Sequence, residues 1–186
     1  MEKEKKIWFT SDTHFNHDKP FVWQVRGYNN VQEMNKDIVT KWNQLVNDED
    51  EVYHLGDVML GENELGLDYI KQLKGKIHII LGNHDTDVRK VLYEQLSNIV
   101  EVTYATMIKY KKWHFFLSHY PTIMGSWGDQ KKLWNLSGHT HSNLKFENGQ
   151  YKSYNVGLDA HNNCLIEISQ ILTDIQNYNN QKDKEL

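Results

Sequence analysis

Cysteine is almost missing from this chain: Cys164 is the one thiol in 186 residues. That excludes an internal disulfide framework and an all-cysteine zinc site, and it favours a cytoplasmic setting. Proline is scarce, with two residues, and arginine is limited to two. No apolar run approaches the roughly 18 residues of a membrane span. Mean hydropathy is −0.72, and the apolar stretch 7–9 behind a charged start is too short for a signal peptide. Positive charge is in deficit, with a formal net charge of −4, which argues against a surface built for duplex nucleic acid.

What is present suits a folded globular protein. Hydrophobic residues make up 39% and charged residues 25% of the chain, a globular balance. The length predicts one domain over 1–186, with charged ends at about 1–6 and 177–186. Histidine is the unusual component, at ten residues, and directs attention to metal ligands. Short runs rich in β-branched and aromatic residues at 7–9, 52–55, 77–81, 114–117 and 153–156 predict strands. Val31, Met34, Ile38, Trp42, Leu45 and Val46 fall at helical spacing. Leu67, Ile70 and Leu73 suggest a second helix, and Val88, Val91, Leu92 and Leu96 a third. The tail from Leu165 reads as a closing helix, or a strand running into one. From Ile99 to Pro121 the pattern predicts consecutive antiparallel strands turning near Lys111-Lys112. The class is α/β.

Polar clusters follow the apolar runs in order: Asp12-Thr13-His14, Gly56-Asp57, Gly82-Asn83-His84-Asp85, Ser118-His119 and Gly138-His139-Thr140-His141. Strand ends converging on one sheet edge are where α/β proteins place their sites. Asp, His and Asn supply oxygen and nitrogen donors suited to Mn, Fe, Zn, Ni or Mg rather than to soft metals. Asp12/His14 and His139/His141, spaced i and i+2, would each point to one side of an extended segment and grip one metal or two neighbours. Several such pairs suggest two metals about 3.5–4 Å apart clamping an in-line displacement at phosphorus. Gly-His-x-His has roughly 0.03 chance copies in this composition, and five clusters in this order make coincidence a poor account.

The ordered pattern Asp-x-His, Gly-Asp, Gly-Asn-His-Asp, His, Gly-His-x-His, from Asp12 to His141, resembles the calcineurin-like metallophosphoesterase superfamily. The opening Ser11-Asp12-Thr13-His14-Phe15-Asn16-His17, with Tyr53-His54-Leu55-Gly56-Asp57, is similar to a small bacterial and phage branch. The resemblance implies a four-layer αββα sandwich of two mixed sheets flanked by helices. It implies that Asp12, His14 and His141 hold one divalent metal, that Asn83, His119 and His139 hold a second, and that Asp57 bridges them, with Mn favoured. It further implies a hydroxide between the metals as nucleophile, and His84 as phosphate contact and leaving-group acid. Asp85 would orient His84 or cap the following helix.

Other residues are weighed by position. His17 is open between a phosphate contact and a solvated loop. His54, His78, His114 and His161 read as structural. Arg26, near Trp23 and Tyr28, is a candidate phosphate grip against a surface ion pair. The segment 124–132 is a candidate pocket rim. The protein-phosphatase branch follows Gly-Asp with an Arg that grips phosphate, whereas Gly56-Asp57-Val58-Met59-Leu60-Gly61 has none. The expected activity is therefore hydrolysis of a small phosphodiester, a nucleotide or cyclic nucleotide. The alternatives are a phosphomonoesterase, a short single-strand nuclease, a metal-bound scaffold without turnover and a structural zinc protein. Oligomeric state is not legible.

Overall fold

The computed structural model describes residues 5–122, 132–146, 152–182 and 184. Four strands, β1 (Ile7–Thr10), β2 (Glu51–His54), β3 (Lys76–Ile80) and β4 (Ile99–Thr103), run parallel, and β9 (Ile166–Glu167) adds antiparallel to β1. The sheet order is β4-β3-β2-β1-β9. A second sheet has the order β5-β6-β7-β8, from β5 (Ala105–Tyr110), β6 (Trp113–Ser118), β7 (Leu133–Ser137) and β8 (Ser153–Asn155). There β5 and β6 form an antiparallel hairpin, while β6, β7 and β8 are parallel. Both sheets are mixed and carry helices, which is the expected fold class.

Side-chain alternation along the first sheet feeds two cores. Trp8, Val52, Ile77 and Ile79 face one way, onto α2 (Val31–Leu45), α3 (Asn63–Ile70) and α4 (Asp87–Glu94). Helix α2 buries Val31, Met34, Ile38 and Trp42 as one stripe, and Asn30 caps it by accepting from the Glu33 N–H at 2.8 Å. Phe9, Leu55 and Ile80 face the other way and pack with Phe115, Leu117, Trp134, Leu136 and Tyr154 of the second sheet. Helix α5 (Ile168–Lys182) closes that core with Ile168, Ile171, Leu172 and Ile175. The tail is thus a strand running into a helix. No helix among the described residues is long and apolar enough to cross a membrane.

Two expectations are corrected. The stretch after Ile99 is not a run of antiparallel neighbours: β4 extends the first sheet parallel to β3, and only β5 and β6 pair antiparallel, in the other sheet. The chain leaves one sheet for the other around Tyr104, because α4 returns β4 to the edge beside β3. The ligand pairs do not sit on extended backbone either. Asp12, His14, His139 and His141 have φ of 57°, 49°, 72° and 50°, so left-handed residues at alternate positions, not extended-strand alternation, aim these side chains.

Parallel pairing sets the location of everything that follows. The carboxyl ends of β1, β2 and β3 emerge on one edge, and those of β6 and β7 meet them there. An isolated bridge from Ser11 to Gly157 ties the two sets of ends together. The short helix α1 (Pro20–Trp23) and a 3-10 turn at Leu158–His161 border the same edge.

Candidate metal centre

The loop after β1 is zipped to the loop after β2: Asp12 N–H donates to Gly56 O at 2.9 Å, His14 N–H to Asp57 O at 3.1 Å and Phe15 N–H to Val58 O at 2.9 Å. Glycine is required where these loops touch. Gly56 has φ +92°, and a Cβ there would stand 2.5 Å from Gly82 N. A Cβ on Gly138 would overlap the Ser11 hydroxyl and the Asp12 carboxylate. Five of the candidate ligands, Asp12, His14, Asp57, His139 and His141, have φ between 49° and 72°. Asp and His tolerate that region better than branched residues, and isolated left-handed residues cluster at functional sites.

These loops bring together two groups of three: Asp12 with His14 and His141, and Asp57 with His119 and His139. In the first, His14 Nε2 lies 3.1 Å from His141 Nε2, and both are about 4 Å from Asp12 Oδ1, at 4.0 and 3.9 Å. In the second, His119 Nε2 lies 3.2 Å from His139 Nδ1 and 3.0 Å from Asn83 Oδ1. Asp57 Oδ2 stands between the groups, 3.8 Å from His14 Nε2 and 3.6 Å from His119 Nε2.

The residues fit divalent cations. Asp12 Oδ1 is buried without a hydrogen-bond partner, while Oδ2 accepts from Ser11 and from the His139 N–H. Burial pushes the Asp12 carboxyl above its usual range, and burial, followed by the charge of His141, pushes the His14 imidazole down. A cation offsets both costs. The ring tautomers follow from the network. His119 Nδ1 donates to Leu55 O at 2.8 Å, and His141 Nδ1 donates to Asp159 Oδ2 at 2.9 Å. In each case Nε2 is left unprotonated, with its lone pair facing its cluster.

His84 stands over this floor. Its ring is 43% exposed, with Nε2 3.8 Å from Asp57 Oδ2. Its backbone is fixed, N–H on Asp57 Oδ1 at 2.9 Å and carbonyl on Arg89 Nη1 at 2.5 Å. His17 sits 5.3 Å, ring to ring, from His14 and 6.4 Å from His84, and its buried Nδ1 has no partner. Burial first, then the His84 charge, lowers its basicity.

Arg26 and Asp85 act differently from expectation. The Arg26 guanidinium is buried, paired with both Asp159 oxygens at 2.8 and 2.9 Å, and it donates to Asp12 O at 2.7 Å and Thr13 O at 3.3 Å. Its donors are committed to holding the ligand loop, so it offers no grip to a phosphate. Asp85 neither orients His84 nor caps α4, whose cap is Thr86. Its carboxylate instead accepts from the backbone N–H groups of Gly82, Asp57 and Val58 at 2.9, 2.7 and 3.2 Å, and from Tyr93 Oη at 2.8 Å. It is a positioning residue for the Asp57 loop.

The structural reading of the other histidines agrees with the geometry. His54 is buried, with Nδ1 accepting from Gly56 N–H and Nε2 donating to Thr13 Oγ1 at 2.9 Å. His161 Nε2 donates to Asn155 O. The suggested rim 124–132 lies outside the described residues except for Lys132. Sequence reasoning missed Asp159 and Tyr120. The latter follows His119 and packs edge-on to His139 with centroids 4.5 Å apart. Asp159 sits in no ligand motif, and its partner Arg26 lies 133 positions away in sequence.

Comparison with known proteins gives the family and the fold. The family model for the calcineurin-like phosphoesterase superfamily domain matches residues 6–177. The chain is 33% identical, over 174 residues and 90% of each chain, to the uncharacterized protein MJ1445 of Methanocaldococcus jannaschii. It is 27% identical to the gene 66 protein of Mycobacterium phage L5, over 82% of this chain and 86% of the phage protein. Among solved structures, the protein of unknown function AQ665 from Aquifex aeolicus superposes with a TM-score of 0.70 at 24% identity, covering 91% of this chain and 99% of that one. A novel archaeal phosphodiesterase superposes with a TM-score of 0.50 at 19% identity, over 82% and 83% of the two chains.

Proposed function

Because this chain belongs to the calcineurin-like phosphoesterase superfamily, a metal-dependent hydrolase family, we propose that it cleaves a small phosphodiester at a pair of divalent cations. The observation that carries the reading is the position of Asp57, whose Oδ2 lies within 3.8 Å of a histidine from each cluster. Asp12, His14 and His141 would hold one cation, and Asn83, His119 and His139 the other, with Asp57 shared. Cations held there supply Lewis acidity and lower the pKa of water, so that a nucleophile is available at neutral pH. Manganese is the favoured ion, and the single cysteine supports a cytoplasmic setting.

The chain's own residues do the rest. His84, half exposed on a fixed backbone, would contact a phosphate oxygen and give its proton to the departing ester oxygen. His17 offers a second ring on the side of His14. The diester preference is supported by the arginines. Arg26 is paired with Asp159, and Arg89 is committed to Asn63 Oδ1, His84 O and Gly61 O. Neither guanidinium is left for the extra charge of a monoester, which a diester does not carry.

The test compares bis(p-nitrophenyl) phosphate with p-nitrophenyl phosphate, using chelator-stripped protein with Mn added back. The expected result is metal-dependent turnover that favours the diester and falls about a hundredfold or more in His84→Ala. A clear monoester preference would overturn the substrate assignment, and silence with every cation would overturn the activity.

A further inference from the structure

Beside His141 the surface opens into a cleft of about 500 Å³, within the range of small-molecule sites and far more than a phosphoryl group needs. Its floor is the Arg26–Asp159 pair with His141. Because both Asp159 oxygens are matched by Arg26 nitrogens at 2.8 and 2.9 Å, that floor is polar but electrically balanced. A second phosphate would find no free guanidinium there.

The rim has another character. Asn143 and Asn162 line the cleft, both exposed, and their carboxamides bond to no described residue. Asn162 is held there by its left-handed backbone, φ 53°, which ends the 3-10 turn with its N–H on Leu158 O. Asn163 fastens the same turn to the floor through Nδ2 on Arg26 O at 3.0 Å. Val25, 77% exposed, is the apolar side chain of the same lining. Amides with paired donors and acceptors in one cleft with an apolar side chain match a flat heteroaromatic ring joined to a sugar.

We infer that this cleft seats one organic arm of the ester, an uncharged polar group of nucleoside type, with Asn143 and Asn162 as specificity residues and Val25 as its apolar support. This rests on the phosphoester reading above: the arm enters from the His141 side while the phosphorus lies over Asp57. The cleft then selects nucleotide esters over simple alkyl or aryl esters, and it does not select for additional phosphates.

The experiment measures binding of adenosine 5′-monophosphate and of inorganic phosphate to the Mn-loaded full chain by calorimetry, for the wild type and for Asn143→Ala/Asn162→Ala. The same preparations are assayed on bis(p-nitrophenyl) phosphate. The wild type is expected to bind the nucleotide at least about tenfold tighter than phosphate. The double variant should lose that difference while keeping its phosphate affinity, and both side chains are exposed, so the fold is not at stake. If the wild type hydrolyses the reporter but binds the nucleotide no better than phosphate, the cleft assignment fails and the phosphoester reading stands. If the double variant keeps the full preference, the assignment to these asparagines fails. A protein that binds neither ligand and hydrolyses nothing overturns both readings.

Discussion

An imidazole binds a cation through one nitrogen and is aimed through the other. His119 is aimed by a neutral carbonyl, Leu55 O, whereas His141 is aimed by the carboxylate of Asp159. Burial alone would raise the Asp159 carboxyl, but hydrogen bonds from His141 and Arg26 outweigh it and hold the group well below the usual carboxylate range. His141 is correspondingly made more basic, first by its hydrogen bond to Asp159. Asp159→Asn is therefore expected to weaken cation binding at the Asp12/His14/His141 position about tenfold to hundredfold. The Asp57/His119/His139 position should be little changed, and competition with a chromophoric chelator reads both. Equal weakening at the two positions would mean general unfolding, and no weakening would remove Asp159 from the centre. The candidate ligands were legible because each motif's residue types and spacing are local. Arg26 was not: its partner is 133 positions away, so nothing near it in sequence distinguishes a phosphate grip from a clamp on the ligand loop.

At the level of elements, the centre is a convergence of loops at the carboxyl ends of parallel strands, and it depends on how closely those loops approach. Gly138 N–H donates to His119 O at 2.9 Å, and the next residue's N–H reaches Asp12 Oδ2 at the same distance. A methyl on Gly138 would collide with Ser11 and Asp12. Gly138→Ala should separate the ends of β1 and β7, lowering stability by about 1–3 kcal/mol and abolishing tight cation binding, as measured by thermal unfolding with and without Mn. A variant whose melting temperature still rises with Mn as the wild type's does would contradict this account. Elements were legible where one face is apolar, as in α2. Strand β7 escaped notice because it is buried on both faces, and its polar Asn135 and Ser137 break the apolar run. Asn135 is satisfied by Thr122 N–H, Phe116 O and Ser153 Oγ, partners a sequence pattern does not display. The separation of β4 from β5 was hidden for the same reason, since pairing with β3 is a long-range choice.

Across the whole molecule, two cores and one polar edge share a single fold, and acid attacks the junction. His54 links the first sheet to the Thr13 loop, and burial, then the nearby His119, holds its imidazole down to about 3 from an ordinary 6.5. Between those values the unfolded chain binds a proton that the native chain does not. Stability therefore falls as pH drops from 6.5 toward 3, by up to about 1.4 kcal/mol per pH unit from this group. Urea unfolding of metal-free protein across that window should show the slope, and His54→Gln should flatten it by about one proton whatever its absolute stability; an unchanged slope would place the titration elsewhere. The proposed reaction requires one chain to hold two cations and to use both. It is tested most directly by adding Mn to stripped protein while following bound metal and hydrolysis of bis(p-nitrophenyl) phosphate together. The account predicts two ions bound per chain, with turnover rising as the second equivalent binds. Full turnover at one equivalent, or two bound ions with no turnover, would contradict it.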